Sequence, residues 1–146
     1  MYMVPFYIRF PQLALRETRT ATLRGHPELP DGEYGFVELF CDDPKCDCQR
    51  AIISVMNPAS KGPMATISYG WKSDRFYREW SNVDDDEMSG LYLDPLNPQS
   101  RYAQGLLKLF EQMLEDRTYA ERIQRHYKMF KADLKKPRGG KHLRKK

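Results

Sequence analysis

Three cysteines stand within eight residues, as Cys41-Asp-Asp-Pro-Lys-Cys46-Asp-Cys48, and they are the only cysteines in the 146-residue chain. An odd number of thiols fits poorly with a disulfide framework, whereas thiolates are ready ligands for zinc. Structural zinc takes four donors, mostly Cys and His, and the Cys-x4-Cys-x-Cys spacing offers three of them. Pro44 bends the loop, while Asp42, Asp43 and Asp47 keep it polar. Thiols without such a role normally sit in an apolar stripe. The expected cofactor is therefore Zn2+.

A fourth donor has to come from elsewhere, and three histidines are available. On the last amphipathic segment, Tyr119, Ile123, His126, Tyr127 and Phe130 share a face at three- and four-residue spacing. His126 thus points toward the body and is the preferred fourth ligand. His26, in the loop before the cysteine segment, is the alternative, with a carboxylate or water behind it. His142 lies in a basic tail.

Catalysis by such a centre finds little support in the sequence. Three thiolates donate much charge and leave the metal a weak Lewis acid. The chain has no HExxH, no GxSxG, no phosphate-cradling glycine loop, and no His-x-Glu paired with Pro-Cys-x-x-Cys. Glu38, three residues before Cys41, is a conceivable general base, but in an alternating strand it reads as an outward residue. The run Asp84 to Glu87 reads as a solvated turn, because the spaced ligands and glycine of a calcium loop are missing.

Charge gives the second theme. The net charge is +4, yet residues 135–146 alone carry seven cations and no acid: Lys135, Lys136, Arg138, Lys141, Arg144, Lys145 and Lys146. Subtracting those seven leaves residues 1–134 at −3. Arg117, Arg122, Arg125, Lys128 and Lys131 precede the tail on the last helix. Together these groups would neutralise phosphates in a salt-dependent, sequence-independent manner. Tyr69, Trp71, Tyr77 and Trp80 could add stacking surfaces, although core packing is the commoner fate of such residues. The expectation is a non-catalytic, zinc-stabilised binding module contacting nucleic acid or a nucleoprotein complex. A protein-docking adaptor and a zinc-dependent hydrolase are the alternatives.

The elements that must position these groups follow from pattern. Tyr34 to Met56 reads as a β-hairpin, with apolar runs flanking the cysteine loop. Residues 1–10 read as an edge strand or arm bracketed by Pro5 and Pro11, 18–24 as a strand, and 25–35 as a loop. Met64 to Tyr69 reads as another strand, and Ser73 as the cap of a short helix bearing Phe76, Tyr77 and Trp80. Residues 91–100 read as a proline-interrupted connector. Helices are predicted over 101–115, capped by Ser100, and over 119–134, opened by a Thr118-x-x-Glu121 capping box. Gly105 in the first of them would admit a close neighbour. The predicted fold is α+β: a small antiparallel sheet with a zinc-binding hairpin, packed against a C-terminal helical hairpin. One domain over 1–134 and a basic tail over 135–146 complete it. No apolar run approaches the ~20 residues that span a bilayer, and the N-terminus lacks a basic region and a cleavage site, so a cytoplasmic protein is expected.

The segments YGFVELFCDDPKCDCQRAII, SYGWKSDRFYREW, LDPLNPQS and YAERIQRHYKMFK, in that order, resemble a group of small uncharacterised bacterial proteins that often carry a C-terminal SEC-C motif. The resemblance covers roughly residues 10–132, and FCDDPKCDC is its most specific part. The tail from Pro137 to Lys146 is similar to the basic glycine turn of that motif but holds no cysteine. The resemblance therefore implies no second metal site, and it brings no assigned function with it.

Overall fold

The computed structural model describes residues 2–81 and 89–136. Its frame is an antiparallel sheet of six strands: β1 (Met3–Pro5), β2 (Arg19–Leu23), β3 (Gly32–Cys41), β4 (Arg50–Met56), β5 (Ala65–Gly70) and β6 (Gly90–Leu93). The order is β1-β3-β4-β5-β6, and β2 also pairs with β3. β1 lies opposite Leu39 to Cys41, whereas β2 lies opposite Gly32 to Phe36. Two short strands thus share one edge of a strand long enough to hold both.

Alternation on β3 decides which face is covered. Tyr34, Phe36, Glu38 and Phe40 are buried, and Val37 and Leu39 are half-buried on the other face. The register sets Phe36 opposite Val55 and Glu38 opposite Ile53, and Ile53 opposite Ile67, which gives one continuous apolar face. Two long helices cover it. α4 (Ala103–Met113) packs against β5 and β6, and α5 (Arg117–Leu134) packs against β3 and β4. Phe110 and Tyr119 meet edge-on where the two helices adjoin, with ring centroids 6.0 Å apart. The α+β architecture with its cysteine hairpin is as the sequence predicts.

Several local expectations are corrected. Residues 6–10 are not strand: after β1 the chain forms α1 (Phe6–Arg9) and α2 (Pro11–Glu17). Phe6 and Phe10, which alternate as in a strand, are also one helical turn apart. Their rings stack at 4.9 Å, and Pro11 opens the next helix at its first position. The segment read as a connector opens with most of β6, whose Leu93 pairs with Ile67. α5 is capped by Asp116, whose carboxylate accepts from Thr118 N at 3.0 Å, rather than by Thr118. An ionised acid at that position also complements the helix dipole. The cap on α3 (Asp74–Ser81) is as predicted, with Phe76 N donating to Ser73 Oγ at 3.2 Å. Gly105 does admit a neighbour: a Cβ there would stand 3.0 Å from Leu29 Cδ2. The acidic run 84–87 and the tail beyond Lys136 lie outside the described residues.

Candidate metal centre

The Sγ atoms of Cys41, Cys46 and Cys48 all lie within 4.8 Å of one another. Cys41 and Cys48 are buried and Cys46 is half-buried. Donors this close can hold one metal ion.

Each arm of the loop is fixed by its own bonds. Cys41 ends β3 opposite Met3, and the pairing runs on, with Asp42 N donating to Tyr2 O at 2.9 Å and Tyr2 N to Asp42 Oδ1 at 2.9 Å. Asp43 makes the turn: its Oδ1 accepts from Lys45 N and its carbonyl from Cys46 N. Asp43 N also donates to Cys41 Sγ at 3.4 Å.

The outgoing arm passes through Gln49, the one described non-glycine residue with positive φ, at 51°. A side chain in the left-handed region costs free energy and persists where its surroundings hold it. Four hydrogen bonds do so here. Gln49 N donates to Tyr127 Oη at 3.0 Å, and its carbonyl accepts from Tyr77 Oη at 2.6 Å. Its side chain donates to Asp47 Oδ1 and accepts from Trp71 Nε1. The loop is thereby tied to α3, to α5 and to the end of β5. Nothing in the sequence pattern singles out Gln49, because its role appears only once those elements converge.

α5 supplies two more anchors. Tyr127 Oη donates to Asp47 Oδ1 at 3.0 Å, and Lys131 Nζ donates to the Asp43 carbonyl at 2.9 Å. Lys131 is 7% exposed, and among the described residues no carboxylate lies within ion-pair distance of it. Its ammonium pulls the Cys48 thiol toward ionisation, against burial and the neighbouring Cys41, which push it up more strongly. Burial and the two other sulfurs push Cys46 up to about 12. Cys46 and Cys48 thus resist ionising, whereas a divalent cation beside them would reverse that balance.

His126 does not join them, which corrects the expected ligand set. It is 1% exposed, its Nδ1 lies 2.7 Å from Glu38 Oε1, and its Nε2 lies 2.7 Å from Glu17 Oε1. Phe6 stacks on the ring at 4.2 Å. His126 faces inward as the helical spacing predicts, but both ring nitrogens are engaged by carboxylates that are distant in sequence. Glu38, expected outward, is buried because the face it shares with Phe36 and Phe40 is the one the helices cover. Its Oε2 and the Tyr119 hydroxyl are buried without a hydrogen-bond partner among the described residues. The hydrogen bond from His126, joined by Arg125, holds the Glu17 carboxyl below its usual range. His26 is also occupied, its Nδ1 accepting from Glu28 N and Leu29 N. His142 lies outside the described residues.

The basic residues of α5 divide. Arg122 donates to the Glu17 carbonyl, Arg125 pairs with the Glu17 carboxylate, and Lys131 turns inward. Arg117, Lys128, Lys135 and Lys136 are exposed. Arg138, Lys141, Arg144, Lys145 and Lys146 fall outside the described residues. Of the aromatic residues considered for stacking, Tyr77 is buried, and Tyr69 and Trp71 pack on each other and on Phe110 and Tyr127. Trp80 remains exposed. Among the described residues no helix is long and apolar enough to cross a membrane.

No protein-family model matches the chain, and no curated protein or solved structure matches it either.

Proposed function

We propose that this chain is a non-catalytic binding module stabilised by one zinc ion at Cys41, Cys46 and Cys48, and that it contacts nucleic acid or a nucleoprotein complex through its C-terminal basic surface. The observation that carries the metal part is the convergence of three thiols, two of them buried, in a loop fastened to α3 and α5. Zinc is the ion favoured by a thiolate-rich donor set in a reducing compartment. Three thiolates also blunt its Lewis acidity, which supports a structural over a hydrolytic role.

The polyanion part rests on exposed Arg117, Lys128, Lys135 and Lys136, and on the cation-rich sequence that follows them. Arg122 and Lys131 belong less to that surface, because each turns to an internal partner, while exposed Arg125 and Lys136 pair with Glu17 and Asp133. The resemblance to SEC-C-associated proteins belongs to the same proposal and adds no partner to it.

Two measurements test this function. Metal analysis of the purified chain should give one zinc per protein, and chelation should lower the melting temperature. A gel shift across a salt series should show binding that falls steeply with salt and is lost on deleting residues 135–146. Equal, negligible binding by both forms would remove the nucleic-acid part and leave the metal part standing.

A further inference from the structure

The three sulfurs are not equally enclosed. Cys41 and Cys48 are buried, so an ion among the three meets solvent on the Cys46 side. There Cys46 lines a surface groove of about 420 Å³ together with Lys45, Asp47, Lys128, Lys131 and Lys135. Four of those residues are cationic. The single acid, Asp47, already accepts hydrogen bonds from Tyr127 and Gln49.

Among the described residues no fourth donor joins the thiols. His126 spends both ring nitrogens elsewhere, His26 stands outside the thiol cluster with its Nδ1 engaged, and the loop carboxylates of Asp42, Asp43 and Asp47 each hold a hydrogen bond. Lys131 adds a second, independent sign. A buried ammonium without a carboxylate partner calls for negative charge nearby, and a divalent ion bound by three thiolates carries a net −1.

We propose, resting on the metal site argued above, that the ion's fourth position opens into this lysine-lined groove and takes an external thiol that bears a carboxylate. The thiol, losing its proton to solvent, supplies the soft donor that completes a four-sulfur shell. The carboxylate is held by Lys128 and Lys135, which line the groove together with Lys45. The competing role for these lysines is to complement the C-terminal dipole of α5, which would produce no preference among ligands.

The experiment uses the full-length protein loaded with Co2+, whose sulfur-to-metal charge-transfer and d–d bands report the donor set. It is titrated at low salt with 3-mercaptopropionate and, separately, with the neutral 2-mercaptoethanol. The bands should shift with both thiols, with mercaptopropionate binding roughly five-fold tighter or more. The double substitution Lys128→Gln, Lys135→Gln, at exposed positions, should bring that ratio close to one and leave Co2+ uptake unchanged. Bands that neither thiol moves, or that both move at equal concentration, would overturn this proposal alone. Absence of any charge-transfer band would overturn the metal reading and this inference with it.

Discussion

Two buried polar clusters lie against the same helix, α5, and they are built on opposite principles. Around His126 every ring valence is spent: Glu38 takes one nitrogen, Glu17 the other, and Phe6 covers the ring. Around Cys41, Cys46 and Cys48 the loop backbone, Gln49, Tyr127 and Lys131 are hydrogen-bonded, while three sulfurs face one another. The first cluster uses up both imidazole nitrogens, leaves Glu38 Oε2 without a hydrogen-bond partner among the described residues, and fixes how α2, β3 and α5 dock. The second is a set of donors held ready around a common point. Burial alone does not mark a binding site, and neither does one orphaned oxygen such as Glu38 Oε2; what marks it is three donors of one soft type converging within 4.8 Å.

The sharpest way to break this contrast is to remove the metal. With a dissociation constant a thousand-fold below the free zinc concentration, binding to the folded state contributes about 4 kcal/mol. Chelation, or Cys48→Ser, should then lower the melting temperature by roughly 10 °C. A melt unmoved by chelator would mean that the thiol cluster is as self-sufficient as the imidazole one.

His126→Ala should act on the other side of the comparison. Removing the imidazole strands Glu38 in the core, a loss on the order of 3 kcal/mol. Zinc stoichiometry should stay at one per chain. Loss of zinc in a variant that still folds would return His126 to the ligand set.

A smaller effect is expected at Gln49. Replacement by Ala keeps the strained backbone and deletes two side-chain hydrogen bonds, costing about 1–2 kcal/mol and weakening zinc affinity. Gln49→Gly relieves the strain and should recover part of the loss. If Ala and Gly behave alike, the positive φ contributes nothing.

The smallest effect concerns acid. Glu17 titrates lower in the folded chain than its ordinary value near 4.5, because His126, and then Arg125, hold its charged form. Its contribution is therefore present above that value and is lost as pH falls below it toward the folded pKa. Glu17→Gln should flatten the acid limb of the stability profile below about pH 4.5 and leave zinc content unchanged at neutral pH. A steeper limb in the variant would reverse the assignment.

How far the sequence discloses each cluster follows from chain separation. Cys41, Cys46 and Cys48 lie in one loop, so their spacing already announces convergence, and the hairpin around them follows from two apolar runs. Glu17, Glu38 and His126 come from three elements more than twenty residues apart, and no local pattern links them. The periodicity of α5 placed His126 inward but carried no information about the carboxylates that would meet it. Alternation tells which residues share a face, not which face is covered, so it does not disclose the burial of Glu38. β6 was missed because four residues beside a proline-rich turn give too short a pattern, and Phe6 with Phe10 fits both a strand and a single helical turn. Lys131 sits in a cationic run that reads as a solvated stripe, and only the folded Asp43 carbonyl and Tyr127 ring turn it inward.

The most direct test is X-ray absorption at the zinc edge on the purified full-length protein, read together with metal analysis. The expected result is one zinc per chain with at least three sulfur neighbours at about 2.3 Å, unchanged in His126→Ala. Absence of stoichiometric metal, or a shell of nitrogen and oxygen without sulfur, would contradict it.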